Sequence, residues 1–132
     1  MTLATLPSAL SVDPRMIETS AGPLAVFAAG QGRDLPPLVL LHSVNAAASV
    51  AEVAPLFDHW RSDRVVVAFD LPGYGHSDRS DRPYTPRLMT DAVHAVIGQV
   101  RRDTGAAAVD VLAVSLSAEF AARAALERPE RI

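Results

Sequence analysis

Four consecutive apolar residues, Leu38-Val39-Leu40-Leu41, follow a polar stretch rich in turn formers. A run without polar positions marks a strand buried on both faces, because alternation disappears when neither face meets water. The same signature recurs at Val65-Val66-Val67-Ala68-Phe69 and, interrupted only by Asp110, across 109–114. Between and after these runs the apolar spacing becomes helical. Val50, Val53, Ala54, Phe57 and Trp60 share a face behind Ser49-x-x-Glu52, which fits a capping box. Pro55 predicts either a kink there or a helix that starts at Ala54 with proline in its first turn. Thr85-Pro86 reads as the N-cap and first residue of a clearer helix. Met89, Ala92, Val93, Val96, Ile97 and Val100 form its buried face, Arg101-Arg102 suit its C-terminal turn, and Gly105 closes it. A last helix over about 116–127 carries Phe120, Ala121, Ala124 and Ala125 on one side, and Pro129 stops it.

Ahead of the first buried run, 16–20 and 24–29 read as a hairpin with Ala21-Gly22-Pro23 as its turn. Residues 1–15, with prolines at 7 and 14, read as a flexible N-terminal arm, and 16–132 as one core domain. The order is hairpin, strand, helix, strand, helix, strand, helix. Parallel strands need helices on both faces of the sheet, and right-handed crossovers supply them, so the fold class is α/β with an open sheet.

Composition narrows the function without choosing it. The chain has 132 residues, 49% of them hydrophobic and 20% charged, enough to bury one core. Its formal charge of -3 gives no general attraction for nucleic acid or an anionic membrane. It contains no cysteine, so disulfides, thiol catalysis and cysteine-ligated metal are excluded within it. No apolar run approaches the roughly 20 residues of a membrane span. The N-terminus lacks the basic region of a secretory signal, which makes a cytoplasmic protein the expectation. The four histidines fall in no H-x-H or H-E-x-x-H pattern, so neither a metal site nor a cofactor is expected.

In an open α/β sheet, reactive loops cluster beyond the C-terminal ends of the strands. Those ends here lead into His42-Ser43-Val44-Asn45, into Asp70 and the glycine loop to Asp78, and into Ser115-Leu116-Ser117. Ser115 lies between a buried strand and an alanine-rich helix, where a tight reversal projects the side chain and leaves backbone N–H groups free. Such a turn needs small residues two before and two after it. Ala113 and Ser117 meet that need around Ser115, whereas Glu119 violates it around Ser117. The plainer alternative is that Ser115 or Ser117 caps the last helix.

Taken together, three motifs resemble the N-terminal part of the α/β-hydrolase fold, in its esterase-like and haloperoxidase-like group. VVVAFDLPGYGHSD (65–78) is similar to the family's strand and D-x-x-G-x-G-x-S loop. LVLLHSVN (38–45) is similar to the strand ending in the His-Gly motif, and DVLAVSLSA (110–118) to the strand and nucleophile elbow. The resemblance implies Ser115 as nucleophile, the N–H groups of Val44 and Leu116 as oxyanion hole, and His42 and Asp70 as loop-bracing residues. It also implies a small-molecule substrate, an ester cleaved through an acyl-enzyme. Three departures stand out. Ala113 and Ser117 replace the elbow glycines, and Ser43 replaces the glycine after the motif histidine.

Catalytic order in this fold is serine, acid, histidine, yet no histidine follows Ser115. The expectation is therefore a fragment of a longer enzyme or a truncated product, inactive alone. The alternative is a non-catalytic α/β domain that binds a small molecule or a protein. With the strand over 109–114 normally interior in the resembled fold, self-association through its open edge is the expected partner behaviour.

Overall fold

The computed structural model describes residues 9–132. A five-stranded sheet runs in the order β1-β2-β4-β3-β5. Strands β1 (Arg15–Thr19) and β2 (Gly22–Ala29) form an antiparallel hairpin, and β2 pairs antiparallel with β4 (Val66–Phe69). β3 (Leu38–Leu41) lies parallel between β4 and β5 (Asp110–Ala113). The helices are α1 (Ala54–Trp60), α2 (Pro86–Thr104) and α3 (Ser117–Glu127), with 3-10 turns at Val50–Val53 and Pro129–Arg131.

The continuous apolar runs divide between two cores by strand alternation. Val39 and Leu41 of β3 face a core shared with Val67, Phe69, Met89, Val93, Ile97 and Phe120, under α2 and α3. Leu38 and Leu40 face the opposite core, with Phe27, Val53, Phe57 and Val66 under α1. Each aromatic or aliphatic side chain fully buried this way contributes about 1.5–3 kcal/mol relative to exposure. That is why β3 and β4 tolerate no polar position.

Several local expectations shift. The hairpin turn falls on Ser20-Ala21, not on Gly22-Pro23, which pair with Thr19 and Glu18 inside the ladder. The Thr19 hydroxyl explains the shift: it accepts from Ala21 N–H (3.0 Å) and donates to the Gly22 carbonyl (2.7 Å), closing the reversal two residues early. Pro55 falls in the first turn of α1, behind a 3-10 turn, so the helix is not kinked by it. Ser49 caps that 3-10 turn through Ala51 N–H (3.1 Å), but the reciprocal half of the capping box is absent because the Glu52 carboxylate is engaged elsewhere. Thr85 caps α2 through Leu88 N–H, and Gly105 ends it with φ 76. Of the arm expected over 1–15, positions 1–8 lie outside the described residues. The described part is packed, with Leu10 only 7% exposed in the α1-side core and Ser11 accepting from Arg61 at 2.7 Å.

Candidate active site

The C-terminal ends of β3, β4 and β5 bring three loops together, and hydrogen bonds distinguish their roles. His42, which follows β3, is fully buried. Its Nδ1–H donates to the Ser43 carbonyl (2.7 Å) while Nε2 accepts from Leu71 N–H (3.0 Å). Both ring nitrogens are thereby committed in the neutral state. Burial pushes the imidazole below its ordinary value of 6.5, against the opposing pull of the Ser43 carbonyl, Asp70 and Glu52. A ring so engaged is unsuited to accept a proton from a serine.

Asp70, after β4, is equally buried. Its Oδ1 accepts from Val50 N–H and its Oδ2 from His76 N–H, both at 3.0 Å. Gly75 makes this approach feasible: with φ 49, a Cβ there would lie 2.1 Å from Asp70 Oδ2. Ser77 ties the same loop to the hairpin, donating to the Asp70 carbonyl (2.5 Å) and accepting from Ala25 N–H (2.9 Å). The spacing of Asp70, Gly73, Gly75 and Ser77 thus folds into one cross-linked unit.

Glu52 reads from the sequence as half of a capping box and not as a site residue. Its Oε1 accepts from Ser43 N–H (2.6 Å) and its Oε2 from the Ser43 hydroxyl (2.7 Å). Those two bonds hold its carboxyl below the ordinary 4.5. They also remove the Ser43 N–H from any reactive use. The available signal was a hydroxyl where the family motif has glycine, with a carboxylate nine residues onward.

Ser115 is the only non-glycine residue with positive φ, at 57, among the described residues. An L-residue in this region costs of order 1–3 kcal/mol, so the surrounding β5–α3 junction imposes it. The residue is exposed. Ser117, by contrast, is fully buried and donates to the His42 carbonyl, which pins the start of α3 to the loop after β3. It does not cap α3, and neither does Ser115 through its side chain. The N–H groups of Val44 and Leu116 meet no acceptor among the described residues. Both residues wall a cleft of about 760 Å³, shared with apolar Tyr74, Met89 and Phe120 and with charged Glu119 and Arg123. Ser115 itself is not among the walls of this cleft, whereas its neighbour Leu116 is.

None of the other three histidines lines this cleft. His59 is exposed and stacks edge-on with Trp60 at 5.1 Å. His94 Nε2 lies 2.8 Å from Glu127, and the Arg87 guanidinium, followed by His94, holds the Glu127 carboxyl down to about 2. His76 Nδ1 stands 3.8 Å from Asp70 Oδ2. No cluster of three metal-capable side chains occurs among the described residues, and no helix there is long and apolar enough to cross a membrane.

The chain belongs to the alpha/beta hydrolase fold family, whose model matches residues 36–132. Solved structures with the same fold span different chemistries. An epoxide hydrolase from Vigna radiata is 24% identical with a TM-score of 0.77, over 91% of this chain and 36% of that one. A meta-cleavage product hydrolase from Pseudomonas fluorescens IP01 is 20% identical with a TM-score of 0.74, over 90% and 42% respectively. An enol-lactonase from Burkholderia xenovorans LB400 is 22% identical with a TM-score of 0.74, over 89% and 44%. The chain therefore spans less than half the length of these structures. No curated protein sequence matches it significantly.

Proposed function

We propose that the chain carries the nucleophile half of a serine hydrolase acting on carboxylic esters. The observation that supports this reading best is the φ of 57 at Ser115, between a strand and a helix, beside two unused N–H groups. In this reading Ser115 Oγ attacks the ester carbonyl while the Val44 and Leu116 N–H groups stabilise the oxyanion. The alkoxide then leaves with a proton, and water clears the acyl-enzyme. The histidine and acid that would activate Ser115 are assigned to the part of the fold that this chain does not span. His42 is passed over because both its nitrogens are engaged. With Ser115 at that position, the epoxide-opening chemistry named for the Vigna radiata relative is set aside, since aspartate serves there in the family's epoxide hydrolases. The enol-lactonase and meta-cleavage product hydrolase activities named for the other two structures are not separated from ester hydrolysis by these residues.

The test supplies the missing base from solution. The chain is incubated with p-nitrophenyl acetate and graded imidazole, and acetylated peptides are mapped by mass spectrometry. The proposal expects negligible turnover without imidazole and imidazole-dependent acetylation at Ser115 above every other serine. Acetylation spread evenly over exposed serines, or unchanged at the same peptide in Ser115→Ala, overturns it. That result would favour the second reading, a non-catalytic binding domain, for which it counts that no base is hydrogen-bonded to Ser115 among the described residues.

A further inference from the structure

Every basic residue of this chain is an arginine, and the arginines are not treated alike. Arg15, Arg64, Arg82 and Arg87 each meet a carboxylate within 3.1 Å. At the C-terminal end of α2 the pattern breaks. The 3-10 turn Pro129–Arg131 docks there through Val109 N–H, which donates to the Arg131 carbonyl (2.8 Å). Arg128 and Arg131 thereby join Arg101 and Arg102; Glu130 stands 3.8 Å from Arg131, Arg102 donates to Gln99 at 3.0 Å, and Asp103 lies within reach of the Arg102 charge.

A depression of about 460 Å³ lies at this junction, walled by Arg101, Arg102 and Arg131 and otherwise by glycine and alanine alone. Gly98 marks where the guanidinia converge. A Cβ added there would lie 3.4 Å from Arg102 Nη1 and 3.9 Å from Arg131 Nη1. Among the described residues the Nε atoms of Arg101 and Arg131, like that of Arg82, are buried without a hydrogen-bond acceptor, and Arg131 Nε has only the long ion pair to Glu130 Oε1 at 3.8 Å. Arg131 is held below its ordinary value, first by burial and then by the charges of Arg128 and Arg101. The C-terminal dipole of α2 offsets only about half a unit charge. Three guanidinium charges exceed that, on a chain whose formal charge is -3.

We propose that this depression binds a small phosphate-bearing anion. A planar guanidinium presents paired N–H donors that match two phosphate oxygens, and a dianion relieves the mutual repulsion of the arginines better than a monoanion. The adjoining depression shares Gly98, Arg102 and Arg131 but adds Glu18 and Asp91, which turn the anion toward the arginine-only side. Free phosphate and a phosphate monoester offer the same chemistry.

The experiment titrates the 15N-labelled chain with inorganic phosphate and, separately, with phenyl phosphate, at ionic strength held constant with chloride. Arginine Nε–H resonances are followed by NMR. Saturable shifts are expected at Arg101, Arg102 and Arg131, with Arg15 and Arg87 unmoved. Arg102→Gln should weaken binding about tenfold or more, as loss of one charge-assisted pair requires, while Arg33→Gln leaves it unchanged. Tighter binding of phenyl phosphate identifies the monoester as the source, and equal binding identifies phosphate alone. A linear drift shared by all arginines overturns the proposal, and so does wild-type affinity in Arg102→Gln. The wild-type resonances decide the matter even if a variant fails to fold.

Discussion

β3 has a parallel neighbour on each side, and the fold treats the two differently. Toward β4, every strand residue is buried, and the loop that follows is cross-linked through Asp70, Gly75 and Ser77 to the hairpin, the Val50 turn and itself. Toward β5, the strand is exposed at Asp110 and half-buried at its other three positions, with no strand on its far edge among the described residues. The turn that follows leaves Leu116 N–H unused and holds a serine in a left-handed backbone conformation. One side spends its polar groups on rigidity, and the other keeps them available. Stability and reactivity compete for the same donors, so a braced loop beside an unbraced turn is how both are obtained.

The largest effect is expected on the braced side. Asp70→Ala orphans the buried Val50 N–H and the half-buried His76 N–H, and at about 1–3 kcal/mol for the buried donor alone it predicts a loss of roughly 1–3 kcal/mol or somewhat more. Urea unfolding followed by circular dichroism measures it, and a loss under 1 kcal/mol, on the order of a surface substitution, would break the contrast. Gly75→Ala should cost about 2 kcal/mol or more, because the new methyl meets the Asp70 carboxylate and the positive φ is strained for alanine.

Across β3 the sign should reverse. Ser115→Gly is expected to stabilise the chain by about 1 kcal/mol by relieving the αL conformation, while abolishing imidazole-dependent acetylation. Equal or lower stability in the same unfolding assay would show that the Ser115 side chain contributes packing that offsets the strain.

Glu52 sharpens the comparison through pH. Its folded value lies below 4.5, so its contribution is complete above that pH and is lost as pH falls through the depressed folded value. Between about pH 6 and about pH 3, wild type should therefore lose more stability than Glu52→Gln. Parallel thermal melts check this, and parallel pH profiles would mean that solvent screens the Ser43 bonds. The smallest effect concerns the β5 edge. Weak association through 110–113 is expected in analytical ultracentrifugation, diminished by a proline at Val111, which cannot donate to a new ladder. A monodisperse monomer with fully protected amides there would show that the Arg64–Asp110 pair at 2.6 Å already guards the edge.

What the residues alone determined is local. Continuous apolar runs announced β3 and β4, since strands covered on both faces admit no polar position. Thr85, Pro86 and Gly105 announced both ends of α2, because caps act within one turn of the chain. A strained turn at Ser115 was legible because its small neighbours lie within two positions of it. Tertiary structure alone decided the rest. Which of Leu38, Val39, Leu40 and Leu41 faces which core is invisible in an unbroken apolar run, and appears only once α1 and α2 lie on opposite faces. The Ser117 bond to the His42 carbonyl joins residues 75 positions apart, and Glu52 reaches Ser43 instead of its own cap. The arginines near Gly98 converge only because a turn late in the chain docks on the end of α2. Hydrogen bonds and charges act over a few ångströms, so their partners are fixed by where the crossovers bring the backbone, not by spacing along it.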